Sequence, residues 1–196
     1  MARKRDRLAS MQDALRALHL PCVQPEKSDL FDAPEVQDMV ALLDALVSPT
    51  HDLSLARALK SPLFGLGDDA LVALAVLRRQ PEHAGCSWFD LLLKSELLAH
   101  DLQALGPVLI QYQGWVQRLP PHDALHAIYE HGDVLVRFAA AAPVTQRQAV
   151  QANLRALLAA ALQHDGGRYL TPYAFVRAMK KGGVRAPGRA DAQAIR

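Results

Sequence analysis

Few side chains in this sequence are placed to do chemistry. His122 and His126 stand four residues apart, on one face of any helix that spans them, with Glu130 a turn further on and His131 beside it. Two imidazoles at that spacing are half of a helical zinc motif. The zinc-protease pattern puts Glu directly after the first His, as general base. Asp123 holds that position here, one methylene short, and structural sites need four ligands and catalytic ones three. These histidines read as partly exposed helix residues. A small helical enzyme using His122, His126 and Glu130 is the reading that predicts bound metal. Gly65-Leu66-Gly67-Asp68-Asp69 has two glycines but no lysine and follows no strand pattern, so it reads as helix punctuation rather than a phosphate loop. Asp68 and Asp69 fit a helix N-terminus, where the helix dipole favours carboxylates. Glu35 and Asp38 fit the solvated face of a helix. No Ser/His/Asp grouping has a recognisable local signature. The sequence therefore assigns no catalytic, cofactor-binding or metal-ligating residue.

The elements that must carry these residues are helical. The 196 residues are 51% hydrophobic, enough for one domain with a sizeable core or two small ones. Aromatics are only 6%, and Ala and Leu, the best helix formers, dominate the apolar content. The fold class expected is all-α: an irregular multi-helix domain of eight or nine helices with no substantial sheet. Charged residues at 21% argue against disorder. Two cysteines, Cys22 and Cys86, give neither a disulfide framework nor a zinc site, which points to a reducing, cytoplasmic setting. No apolar run approaches the roughly 20 residues needed to cross a bilayer. The basic start lacks the apolar stretch of a secretory signal.

Periodicity and punctuation mark the helices. Leu8, Met11, Leu15 and Leu18 share a face, and Pro21 closes that helix. Residues 22–33 read as a loop. Pro34 opens a helix with Val36, Met39, Val40, Leu43, Leu46 and Val47 in its stripe, ended by Ser48-Pro49. Thr50 is placed to cap the next, Ser87 another, and Thr171-Pro172 the last. Leu97 to Arg118 reads as helix with a break at Gly106-Pro107. Pro120-Pro121 opens a further helix, which Val134 to Ala141 either extend or follow as a separate one. Pro143 and Thr145 introduce the most regular helix, ended by Gly166-Gly167. Residues 182–196, rich in Gly and Pro, read as a loose tail.

Charge is distributed unevenly. Arg3, Lys4, Arg5 and Arg7 cluster at one end; Arg177, Lys180, Lys181, Arg185, Arg189 and Arg196 cluster at the other. The net charge of +2 does not by itself imply nucleic-acid binding. Basic ends suit phosphate contact, but composition alone favours solvated termini.

One stretch resembles a known family. Leu30-Phe31-Asp32-Ala33-Pro34-Glu35-Val36, running into Met39, Leu42 and Leu43, is followed by Ser48-Pro49 and by Leu55-Ala56-Arg57-Ala58-Leu59-Lys60-Ser61-Pro62-Leu63-Phe64-Gly65-Leu66. Together they resemble UvrD-like superfamily 1 DNA helicases, best the AddA/RecB type of helicase-nuclease subunit (exodeoxyribonuclease V beta-like). Arg3 to Leu20 and Asp191 to Arg196 are similar to that family's flanking segments. The resemblance covers nearly the whole chain and is densest over residues 30–66.

The resemblance implies a fragment: the helical 2B insertion of the C-terminal motor domain, residues 1–196 forming one accessory domain with 1–27 and 180–196 as hinges to the motor core. The ATP and Mg2+ sites would lie elsewhere in the parent, as would any nuclease domain. The fragment itself would be non-catalytic and hold no cofactor, while the parent would be an ATP-dependent helicase/exodeoxyribonuclease of double-strand-break repair and recombination. Expected partners are duplex DNA, bound weakly and without sequence readout, the rest of the motor, and a second helicase-nuclease subunit; no membrane is expected. Arg3, Lys4, Arg5, Lys180, Lys181 and Arg185 are the expected DNA contacts. Pro34, Glu35, Ser61, Pro62, Phe64 and Gly65 match the family motif and are read as structural. The alternative is a stand-alone helical protein-protein interaction module.

Overall fold

The computed structural model describes residues 14, 29–94, 98–163 and 171–187. The expected helix over 6–18, apart from helical Ala14, the Gly166-Gly167 stop, Cys22 and residues 188–196 lie outside them. A 3-10 turn at Leu30–Asp32 leads into α1 (Pro34–Val47), α2 (Asp52–Lys60) and α3 (Asp68–Arg78). Then come α4 (Trp88–Leu93), α5 (His100–Gln103), α6 (Leu105–Arg118) and α7 (Pro121–His131). The described residues end with α8 (Val134–Ala141), α9 (Arg147–Gln163) and α10 (Pro172–Lys181). Among them the extended pairing is one isolated antiparallel bridge, Asp29 to Arg185. The all-α expectation holds.

The core is built around α1. Pro34 stands at its first position, where the missing N–H costs nothing. From Glu35 to Leu46 most of the helix is buried, because α2, α6, α9, α10 and the 3-10 turn surround it. Phe175, Val176 and Met179 of α10 and Leu154 and Leu157 of α9 are buried in the same cluster. Each such side chain contributes about 1.5–3 kcal/mol by leaving water.

That packing overturns one expectation. Glu35 is not on a solvated face: it is buried, and Asn153 Nδ2 of α9 donates to its Oε1 at 2.7 Å. Asp38 is half-buried and paired to Arg57 Nε at 2.8 Å. A helix wrapped on most sides has few solvated positions, so its polar residues must find partners inside.

Local signals set most boundaries. Ser87 forms a capping box with Asp90, and Thr171 Oγ1 accepts from Ala174 N. Thr50 does not cap α2: Ser48 to His51 close a turn, and His51 takes the N-cap position without a side-chain bond. The break before α6 falls at Ala104 rather than at Gly106-Pro107. Both residues sit in the first turn of α6, where a proline lacks no needed bond. Gly106 has a packing reason, since a Cβ there would lie 2.5 Å from the Leu92 carbonyl oxygen of α4. Asp133, left-handed at φ 48°, separates α7 from α8.

Residues 182–187 are more ordered than their composition implies. Leu30 N donates to Val184 O at 2.7 Å, and Asp29 Oδ2 accepts from Gly183 N. Val184 and Ala186 pack against the core. The segments leading into and out of the helical body thus run side by side.

Candidate nucleic-acid interface

The motif residues 61–66 form a tight turn between α2 and α3. Ser61 is buried, its Oγ donating to Ala58 O at 2.6 Å. Phe64 N and Gly65 N both donate to Ser61 O, and Leu66 N donates to Leu59 O. Gly65 adopts φ +68°, which a residue without Cβ does at no cost. Leu63 is buried, Phe64 packs at 6.4 Å from Tyr112, and Arg137 donates to Leu63 O at 3.1 Å. Pro62 is half-buried within the turn. The amides of Phe64, Gly65 and Leu66 are thus bonded within the turn, and no lysine accompanies the two glycines.

Four polar groups converge where α10 meets α1. Asp44 is buried, and Lys180 Nζ lies 2.7 Å from its Oδ2. Ser54 Oγ donates to the same oxygen at 2.5 Å, and His51 Nδ1 lies 3.2 Å away. Burial alone would raise the Asp44 pKa; the bonds from Lys180, Ser54 and His51 and the lysine charge outweigh it and hold the carboxyl below its usual range. Asp38 goes the other way: burial raises it, against the bond and charge of Arg57. Beside this cluster lies a cleft of about 450 Å³. Phe31, Val40, Ala41 and Leu53 give it apolar walls, and Arg57 and Lys180 lie at its polar side. Both cations already face carboxylates, so the cleft carries little net field.

The outer face of α10 is different. Tyr173, Arg177 and Lys181 repeat every four residues and are all exposed, with the Arg177 guanidinium 6.0 Å from the Tyr173 ring centre. Arg185 is exposed just beyond. Of the expected DNA contacts, Lys180 and Lys181 belong to α10, with Lys180 tied to Asp44, and Arg185 is exposed past its end; Arg3, Lys4 and Arg5 lie outside the described residues. Tyr173 escaped the sequence reading, although its spacing from Arg177 and Lys181 was there to be seen. A basic helical face bearing an aromatic can hold phosphates without reading bases.

The histidines are dispersed. His122 and His126 stack at 6.2 Å, and His122 Nδ1 faces Asp123 at 3.0 Å. His131 Nδ1 instead meets the Tyr112 hydroxyl at 3.1 Å. Among the described residues no three His, Cys, Asp or Glu side chains are grouped to hold a metal, and no helix is long and apolar enough to cross a membrane.

Comparison with known proteins decides the family. Residues 1–103 match the profile of the UvrD-like helicase C-terminal domain. The chain belongs to the UvrD-like helicase C-terminal domain family. Curated relatives agree with this over a longer span. The chain is 27% identical to the A subunit of an ATP-dependent helicase/nuclease from Lactococcus lactis subsp. lactis (strain IL1403), over 92% of its own length and 16% of that protein. It is 28% identical to the exonuclease/helicase subunit RexA of Lactococcus lactis subsp. cremoris (strain MG1363), with the same coverage. The corresponding helicase/nuclease protein of Listeria innocua is 25% identical over 100% of this chain and 16% of the relative. The chain thus spans about one sixth of the length of these relatives. Within this UvrD-like segment, α1 and the 61–66 turn lie inside the matched profile, and the basic face of α10 lies beyond it.

Proposed function

We propose that this chain is a non-catalytic accessory domain of an ATP-dependent DNA helicase/nuclease of double-strand-break repair, equivalent to a 2B insertion. Residues 1–27 and 180–196 serve as its hinges to the motor core. The observation that carries this reading is the alignment of nearly the whole chain with one sixth of the length of helicase/nuclease proteins. The side-by-side run of Asp29-Leu30 and Gly183-Arg185 supports it, since a domain inserted in a larger one needs both connections at one place. ATP and Mg2+ belong to the parent motor. The parent works in the cytoplasm. Its partners are duplex DNA, the rest of the motor and a second helicase-nuclease subunit.

In this reading Arg177, Lys181 and Arg185 meet duplex phosphates, with Arg3, Lys4 and Arg5 as further contacts and Lys180 held back by Asp44. The motif residues Pro34, Glu35, Ser61, Pro62, Phe64 and Gly65 are structural. Fluorescence anisotropy with labelled duplexes of two unrelated sequences tests it. Equal affinities are expected, falling steeply between about 50 and 200 mM salt because each phosphate contact releases a counterion. Arg177→Ala and Lys181→Ala should each weaken binding on both sequences and reduce the salt slope by about one. Binding that ignores salt, or ignores both substitutions, would refute the assignment to α10.

A further inference from the structure

α3 presents a face that no other described residue is shown to cover. Leu74 is buried, and Arg78 is drawn inward by Asp52 at 2.5 Å. Asp68 is held by Lys60 at 2.5 Å. These ties fix the rotation of the helix. On the opposite side stand Asp69, Val72, Val76 and Arg79, spaced three, four and three, with exposed Ala73 beside them. Val72 is 60% and Val76 57% exposed. Asp69 and Arg79 are exposed and have no ionic partner among the described residues. The helix packs chiefly on short α4, so its outer side is open.

From this we infer that α3 is a self-association surface whose occupant is a second α3, antiparallel, from another copy of this chain. The charge order selects that occupant. The acid lies five residues before Leu74 and the base five residues after it. A two-fold axis beside Leu74 therefore sets each Asp69 against the other copy's Arg79, with the valines between, and does so twice. A parallel copy would set like charges together. The three-four-three spacing is that of a helix-helix seam, and Ala73 lets the backbones approach. A seam about 16 Å long is small beside the ~800 Å² per partner of a standard interface, so the association is weak and reversible. It does not depend on the helicase reading.

Sedimentation equilibrium on the full chain tests this, with masses read against the 21.4 kDa monomer. The mass should rise with concentration toward twice the monomer. Asp69→Arg and Arg79→Asp should each hold it at the monomer, because each places like charges across the axis. An equimolar mixture of the two single variants should recover the dimer, since the mixed pair has two attractive contacts; the double variant should recover it too. Val76→Lys, at an exposed position, should remove association without altering helicity by circular dichroism. A wild-type chain that stays monomeric throughout, or single charge variants that dimerise as the wild type does, would overturn the proposal. The valine face would then be left to another protein or to the rest of the parent.

Discussion

Two glycines on α6 make opposite predictions for one substitution. In a helix, alanine is favoured over glycine by about 1 kcal/mol through backbone entropy. At Gly114 a new Cβ would meet only the end of the Arg118 guanidinium, at 2.9 Å, and that exposed group can swing aside. Gly114→Ala should therefore keep most of the gain. At Gly106 the new Cβ would lie 2.5 Å from Leu92 O and 3.4 Å from Leu92 C. Those are backbone atoms in the last turn of α4, and they move only if α4 moves. Overpacking of that kind costs about 1–3 kcal/mol, which matches or exceeds the propensity gain and leaves a net loss of up to about 2 kcal/mol. For a chain of this size 1 kcal/mol shifts Tm by about 2–4 °C. Thermal melts followed by circular dichroism should show Gly114→Ala rising by up to about 4 °C and Gly106→Ala falling by up to about 8 °C. If Gly106→Ala melts above wild type, α4 and α6 do not approach as closely as described, and the packing reason for Gly106 is wrong.

Two further perturbations address the inter-helix ties. Asp44→Asn removes the charge that holds Lys180; because that lysine is half-exposed and regains water, the loss should be about 1–2 kcal/mol at neutral pH rather than the 3–5 of a fully buried pair. The folded Asp44 pKa is depressed, so its contribution is present above the ordinary carboxylate range and is lost as pH falls through the depressed value. Denaturant melts of variant and wild type should therefore converge in acid; a gap constant with pH would contradict the assignment. Tyr129 is buried, burial pushes its phenol pKa far up, and its hydroxyl donates to Leu154 O at 3.1 Å. Tyr129→Phe should cost about 0.5–1.5 kcal/mol in a urea melt, and no loss would mean that the bond is not made.

Residues that act on their immediate neighbours were legible in the sequence. Pro34, Ser87, Pro121 and Thr171 announce helix starts because a cap or a missing N–H works within one turn. Surroundings were not legible. Glu35 and Asp38 look solvated until α2 and α9 close over α1, and no period in the sequence of α1 reports those later helices. Gly106-Pro107 looks like a break because sequence does not tell a first turn from a helix interior. Residues 182–187 look loose because their partner, Asp29-Leu30, lies at the other end of the chain. The candidate interface divides in the same way. Clustering of Arg and Lys near 177–185 could be read directly. That Lys180 is occupied by Asp44, and that Tyr173 joins Arg177 and Lys181, required the rotation of α10.

The central position of α1 also bears on how the protein is made. Its apolar surface leaves the ribosome well before two of the helices that cover it, α9 and α10. At about 5–20 residues per second the wait is on the order of 10 s. During that interval Val36, Met39, Leu42 and Leu46 have only their near neighbours for cover. The nascent segment is thus a candidate for chaperone capture, and a ribosome stalled before Phe175 would display a sticky half-core rather than a smaller folded unit.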